Sequence, residues 1–162
     1  MSGQNTYIID LTRLPIGTHR FDILLDDGFF ASVEKSEILS GHVAAKLTLN
    51  LREEDYSLSI AVHGTVSVLC DRCLDPMTLE INDEQEIFSE DEEPNEPYGE
   101  ADRMNEVNKE MVNDKMVNLR WLAYEIVAIN IPLVHCHPTG ACNPQMDLLL
   151  HSHLCARLEP EN

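Results

Sequence analysis

"HVAAKLTLNLREEDYSLSIAVHGTVSVLCDRCLDPMTLEINDEQEI", the segment from His42 to Ile87, alternates apolar and polar residues with a period of two. Clean alternation is typical of β-strands that bury one face. It occurs in three runs, separated by the short polar links "REED" and "DRCLDP". The apolar positions are Val43, Ala45, Leu47, Leu49 and Leu51, then Tyr56, Leu58, Ile60, Val62, Val66, Val68 and Cys70, then Met77, Leu79, Ile81 and Ile87. The segment therefore predicts an antiparallel β-meander.

The flanking segments complete a predicted α+β fold. Upstream, "NTYIIDLTRLPIG" (5–17) and "HRFDILLDDGFF" (19–30) predict two more strands, with a turn at "DDG" (26–28). Downstream, "NLRWLAYEIVAINIP" (118–132) predicts a helix with Asn118 as its N-cap and Pro132 as its stop. Its apolar residues at helical spacing are Leu119, Leu122, Ala123, Ile126 and Val127. We expect an antiparallel β-meander sheet covered by one main C-terminal helix, with an acidic loop and a Cys/His-containing tail.

The chain has 162 residues, which suits one ordinary domain. We predict a single domain over 1–162 that is mainly β over 1–89. An acidic, flexible linker is expected over 90–106, and a helix with a Cys/His tail over 107–162. No apolar run is long enough to cross a bilayer, and the N-terminus lacks the pattern of a secretory signal. We therefore expect a cytoplasmic protein without a membrane partner.

The net charge of −18 is the strongest compositional feature. Ten acidic residues and no Lys or Arg lie between Asp83 and Asp102. Such a surface repels phosphate backbones, so it argues against tight, non-specific nucleic-acid binding and instead favours basic proteins as partners. The simpler interpretation is that the acidic run is a solvated loop that aids solubility.

Cysteine spacing predicts a metal site. Five cysteines in a chain without an export signal favour thiols or metal ligands over disulfides. Cys70 and Cys73 lie at the turn between two paired strands, a "knuckle" that brings two thiols together, and zinc needs four ligands in a tetrahedron. The tail offers the rest, so the predicted ligands are Cys70, Cys73 and Cys142 with either Cys136 or His137. The ion would attach the tail to the sheet.

Two other interpretations of the thiols stay open. A redox dithiol normally lies at a helix N-terminus, and no helix is predicted after Cys70. Alternatively, Cys70 is a core thiol and Cys73 is a turn residue. Catalytic patterns are missing: the chain contains no glycine-rich loop, no Gly-x-Ser-x-Gly and no His-Glu-x-x-His. We therefore expect no enzymatic activity and no small-molecule substrate.

The order of four features resembles a known family. A strand ends in "CDRCLDPM", an acidic segment follows, then the helix "LRWLAYEIVAINIPL", then the Cys-containing tail "HCHPTGACNP". Over roughly Gly41 to Cys142 this order resembles the bacterial YceD family, the large-subunit ribosomal RNA accumulation proteins. The resemblance implies a role in accumulation of 23S rRNA and in large ribosomal subunit biogenesis, without catalysis.

The expected partner is a basic protein. The resemblance and the charge together favour a large-subunit ribosomal protein or a pre-ribosomal particle, with at most indirect contact to rRNA. Positive residues that could still form a local basic patch are Arg72, Arg103, Lys109, Lys115 and Arg120. The alternatives are a stand-alone zinc-binding interaction module and an acidic mimic of a nucleic acid.

Overall fold

The computed structural model describes residues 7–53, 55–88, 112–113 and 116–156. The predicted meander is confirmed as a four-stranded antiparallel sheet of β2 (Gly17–Leu25), β3 (Ser40–Leu51), β4 (Tyr56–Leu69) and β5 (Pro76–Phe88), in that order. The acidic linker predicted over 90–106 lies outside the described residues.

The strand register brings the predicted apolar positions onto one face of the sheet. Leu47 of β3 lies opposite Ile60 of β4, and Val66 of β4 lies opposite Leu79 of β5. The inward-facing side chains of β3 and the middle of β4 are almost completely buried. The pattern of period two therefore determined the register, because a slip of one residue would turn these side chains to solvent.

A second, smaller sheet pairs the first described strand of the chain with two short strands that follow β5 in the sequence. It contains β1 (Ile8–Asp10), β6 (Val112–Asn113) and β7 (Met116–Asn118), in the antiparallel order β1-β7-β6. Val117 of β7 is buried in the hydrophobic core. The first upstream strand is thus shorter than the segment that predicted it, and it belongs to a different sheet from the meander.

The strand predicted within residues 19–30 is confirmed only up to Leu25, and the turn predicted at residues 26–28 is wrong. β2 stops at Leu25, and Asp27–Ser32 form helix α1. The carboxylate of Asp26 caps this helix by accepting a hydrogen bond from the Phe29 amide at 3.0 Å. Burial of Phe30, which is 1% exposed, explains the difference, because the helix places this ring in the core.

The helix after β7 follows the prediction closely. α2 spans Leu119–Ile129, and Oδ1 of Asn118 accepts from the Trp121 amide at 3.2 Å, which confirms the N-cap. The predicted apolar stripe is buried in the same hydrophobic core as the inward-facing residues of β2 to β5. That α2 is the main cover of the sheet stays a prediction.

A further helix, α3, spans Pro144–Ala156. None of the helices in the described part of the chain has the length and apolar character needed to cross a lipid bilayer.

Candidate metal centre

The turn between β4 and β5 holds two buried thiols. The amide of Cys70 donates to the carbonyl of Asp75 at 2.9 Å, and the amide of Leu74 donates to the carbonyl of Cys70 at 2.9 Å. Leu74 adopts a left-handed backbone conformation with φ of 62°. These bonds close the turn, in which Cys70 and Cys73 are both buried.

The segment after α2 runs back along this turn. The Asp71 amide donates to the His135 carbonyl at 2.9 Å, and the His135 amide donates to Oδ2 of Asp71 at 2.8 Å. At the far side of the turn, Nδ2 of Asn143 donates to Oδ2 of Asp75 at 3.3 Å. The tail is thus attached to the turn at His135 and at Asn143. His137 and Cys142, which lie between these two residues in sequence, are thereby brought close to Cys70 and Cys73.

Four side chains meet as a result. The ligand atoms of Cys70, Cys73, His137 and Cys142 all lie within 4.8 Å of one another. The Sγ atoms of Cys70 and Cys142 are 3.9 Å apart, and Sγ of Cys73 is 3.3 Å from Nδ1 of His137. We call these four residues the thiol cluster.

The spacing suits a tetrahedral zinc ion. With zinc–sulfur bonds of about 2.3 Å and zinc–nitrogen bonds of about 2.0 Å, two sulfurs lie about 3.8 Å apart, and a sulfur and a nitrogen about 3.5 Å apart. The two separations given above are close to these values. Three thiols and one imidazole are also the kind of ligand set that structural zinc sites use. The residues present therefore fit the ion.

The ionisable groups of the thiol cluster have pKa values shifted in different directions. Burial alone would raise the pKa of the Cys70 thiol, but hydrogen bonds from the backbone of Cys73, His137 and Arg72 lower it to about 5. Burial, with the neighbouring Cys70 and Cys73, raises the pKa of Cys142 to about 11. A hydrogen bond with Cys73 raises the pKa of the His137 imidazole. The thiolate form of Cys70 is thus favoured even without a metal ion, whereas the thiolate form of Cys142 is disfavoured unless a metal ion binds it.

The match to a known family covers this whole region. A model of the family described as large ribosomal RNA subunit accumulation protein YceD matches residues 58–150, which is more than half of the chain. The chain belongs to the YceD family. The matched range contains the β4–β5 turn, α2 and every member of the thiol cluster. The family name implies a role in the accumulation of large-subunit ribosomal RNA. No curated protein and no solved structure matches the chain.

Of the five predicted ligands in this YceD-family chain, four meet and one does not. Cys136 is exposed and is not a member of the cluster, although its thiol lies next to that of Cys70, whereas its neighbour His137 is half-buried within it. The sequence left the choice between these two residues open. The difference arises from the chain path, since the pairing of His135 with Asp71 fixes the backbone just before them.

Of the five residues of the predicted basic patch, the structure describes only Arg72 and Arg120, which lie in different elements, so the patch stays a prediction. Arg72 is exposed in the β4–β5 turn, but Arg120 lies over the rings of Tyr7 and Phe29 and pairs with Asp26 at 3.6 Å. Arg103, Lys109 and Lys115 lie outside the described residues. Arg120 therefore holds α1 and the N-terminal segment to α2.

Sequence reasoning missed the polar residues that hold the cluster in place. They are Asp71, Asp75, His135 and Asn143, each of which makes one of the bonds between the turn and the tail. Their signal was weak, because aspartates are common in turns for reasons unrelated to a site. The position of both aspartates next to the Cys-x-x-Cys spacing was the one feature that could have indicated them.

Proposed function

We propose that this protein is a non-enzymatic assembly factor that supports accumulation of 23S rRNA by holding a basic ribosomal protein or an assembly intermediate of the large subunit. The observation that carries the proposal is the family match over residues 58–150. This range includes the two most specific parts of the chain, the Cys-x-Arg-Cys turn and α2.

Charge supports a protein as the direct partner. The chain carries a net charge of −18. On β5, which is an edge strand of the four-stranded sheet, Glu80, Glu84 and Glu86 are exposed on the face opposite the core. A surface of this sign repels naked rRNA and attracts the lysine- and arginine-rich proteins that bind it.

Zinc is proposed as a structural ion in this protein. Cys70, Cys73, His137 and Cys142 would hold it, and zinc would supply the positive charge that lets the sulfurs ionise together. Four protein ligands leave no open position for a substrate, which is the arrangement of structural sites. The ion would fix the tail to the β4–β5 turn, next to which the chain has few other buried apolar groups.

A second candidate function is a zinc-binding interaction module that serves a partner outside ribosome assembly. The thiol cluster favours it, since such a cluster stabilises small surfaces in proteins of many functions. The two candidates predict different effects of removing the protein on the amount of ribosomal RNA in the cell. Only the first links the protein to large-subunit RNA.

Deletion of the gene tests the proposed function. We expect lower 23S rRNA relative to 16S rRNA and fewer large subunits on sucrose gradients, both restored by the wild-type gene. Unchanged rRNA levels and subunit profiles would contradict the first candidate. Zinc bound to the purified protein together with such unchanged profiles would favour the second.

A further inference from the structure

Large apolar side chains are exposed around the thiol cluster. Leu74, beside Cys73, is 59% exposed, and Leu133 and Val134, just before the tail segment, are 102% and 74% exposed. On α3, Leu148 and Leu149 are 71% and 54% exposed. Single exposed leucines are common on protein surfaces, but several on segments that meet at one point indicate a contact surface.

The segments that carry these residues are tied together. The bonds between Asp71 and His135 join the β4–β5 turn to the segment with Leu133 and Val134. The bond between Asn143 and Asp75 joins the same turn to the residue that precedes α3. Met146, in the first turn of α3, packs against the thiol cluster. The exposed apolar residues are therefore held by one rigid centre.

Nothing in the described part of the chain covers these residues. Leu74, Leu133, Val134, Leu148 and Leu149 belong to neither of the two hydrophobic clusters that the described residues form. The apolar residues of α3 are not gathered on one face, and its leucines at 148, 149 and 150 follow one another around the helix.

Three carboxylates and the exposed guanidinium of Arg72 border the apolar residues, so negative charge predominates there. The side chains of Asp71 and Asp147 are 44% and 41% exposed, and Asp75 is exposed in the turn. A partner that covers this surface must offer apolar side chains flanked by positive charge. A second copy of this chain is a poor match, because it would bring the same carboxylates and another charge of −18 to the contact.

We propose that Leu74, Leu133, Val134, Leu148 and Leu149, held together at the thiol cluster, form the docking surface for an amphipathic, lysine- or arginine-flanked segment of a large-subunit ribosomal protein. This inference rests on the proposed function and names the surface that carries it. We call this set of five residues the apolar docking surface. It is separate from the acidic outer face of β5, which would attract the partner without determining how it docks.

Binding by surface variants tests the inference. The immobilised full-length protein is exposed to the protein fraction that salt extracts from purified large ribosomal subunits, and each retained protein is purified and titrated. The test variant carries Leu133→Gln and Leu149→Gln. The matched control carries Ile16→Gln and Leu39→Gln, two apolar residues that are 63% and 47% exposed outside the docking surface. We expect the test variant to bind about tenfold more weakly and the control to stay within about twofold of wild type.

The outcomes separate the inference from the proposed function. If wild type retains a large-subunit protein and the test variant binds it equally well, the docking surface is wrong and the proposed function stands. If wild type retains none, both fail. If sedimentation shows a wild-type dimer that the test variant loses, the surface belongs to a second copy and the inference is overturned. If the first test variant unfolds at a lower temperature than wild type, a variant with Leu133→Gln and Val134→Gln, at positions that are 102% and 74% exposed, replaces it.

Discussion

Sγ of Cys73 lies 3.3 Å from Nδ1 of His137, although 64 residues separate the two in sequence. The contact joins a turn of the sheet to a tail, and none of the described residues from 133 to 153 belongs to the main hydrophobic core. The fold thus has two centres, one built by apolar burial and one by thiols and an imidazole.

The first prediction concerns metal content. Purified under reducing, chelator-free conditions, the protein should contain about one zinc ion per chain. Cys142→Ser should lose it, because a hydroxyl replaces one of four ligands. Cys136→Ser is the matched control and should keep its zinc, since Cys136 is exposed and is not one of the four ligands. Elemental analysis of the three proteins checks this, and equal zinc loss in both variants would contradict the assigned ligand set.

The second prediction concerns metal removal. Binding by four such ligands contributes on the order of 10 kcal/mol. A strong chelator should therefore release the tail while the sheet stays folded, because the two hydrophobic clusters share no buried residue. In hydrogen exchange, the amides of Asp71, His135 and His137 should lose protection, whereas those of Leu47 and Ile60 should keep it.

Two results would contradict this second prediction. Protection lost equally in β3, β4 and the tail would show that the centres unfold as one unit. Unchanged protection in the tail after complete metal removal would show that hydrogen bonds alone hold it.

The meander and α2 could be predicted from the sequence because both bury a regular apolar pattern. Most of the period-two positions in β3 and β4, Ile81 of β5 and the stripe from Leu119 to Val127 are buried, and the other apolar residues of β5 are partly buried against the same core. α1 was missed because "DDG" is typical of a turn, and only the burial of Phe30 among distant residues makes a helix favourable. The small sheet was missed because β1 and β7 pair three residues each across most of the chain.

The thiol cluster was partly predictable for a different reason. The Cys-x-x-Cys spacing at a turn indicates two ligands by itself, because the turn brings them together locally. The other two depend on how the tail crosses the turn. That path is fixed by the bonds of His135 and Asn143 to the turn aspartates, which no local pattern reveals.

The third prediction tests the close approach of β3 and β4. A Cβ atom at Gly64 would overlap the carbonyl oxygen of His42 and lie 2.6 Å from Cα of Val43. Gly64→Ala should therefore destabilise the protein by about 3 kcal/mol, because backbone atoms of a central strand would have to move. Urea unfolding measures the change.

Gly28→Ala is the matched control for this third prediction. Its Cβ would meet Oδ1 of Asp26 at 3.6 Å, an ordinary contact, and the position lies inside α1. Alanine has a higher helix propensity than glycine by about 1 kcal/mol. Gly28→Ala should thus be neutral or mildly stabilising, and similar losses in both variants would argue against the close strand contact.

The fourth prediction concerns the bond between α2 and β5. Nδ2 of Asn130 donates to Oδ2 of Asp83 at 2.8 Å, and this bond is the main reason that the pKa of the Asp83 carboxyl lies below its usual value. A lowered folded-state pKa stabilises the protein above the unfolded pKa of about 4, and the effect is lost as the pH falls below it.

Asn130→Ala should therefore act in a pH-dependent way. At neutral pH it should cost about 1 kcal/mol, since the pair is partly exposed, and the cost should shrink at about pH 3. Urea unfolding of both proteins at the two pH values gives the comparison. In an Asp83→Asn background the pH dependence of the Asn130→Ala effect should vanish, and its persistence there would assign it to another group.

The central claim is that the tail, attached to the β4–β5 turn through the thiol cluster, is needed for large-subunit assembly. One measurement tests this claim most directly. It is the ratio of 23S to 16S rRNA in cells whose only copy of the gene carries Cys142→Ser, compared with cells that carry Cys136→Ser. We expect the Cys142→Ser ratio to fall toward that of the deletion strain, and the Cys136→Ser ratio to match wild type. Equal, wild-type ratios in both strains, with the variant proteins present at normal levels, would contradict the account.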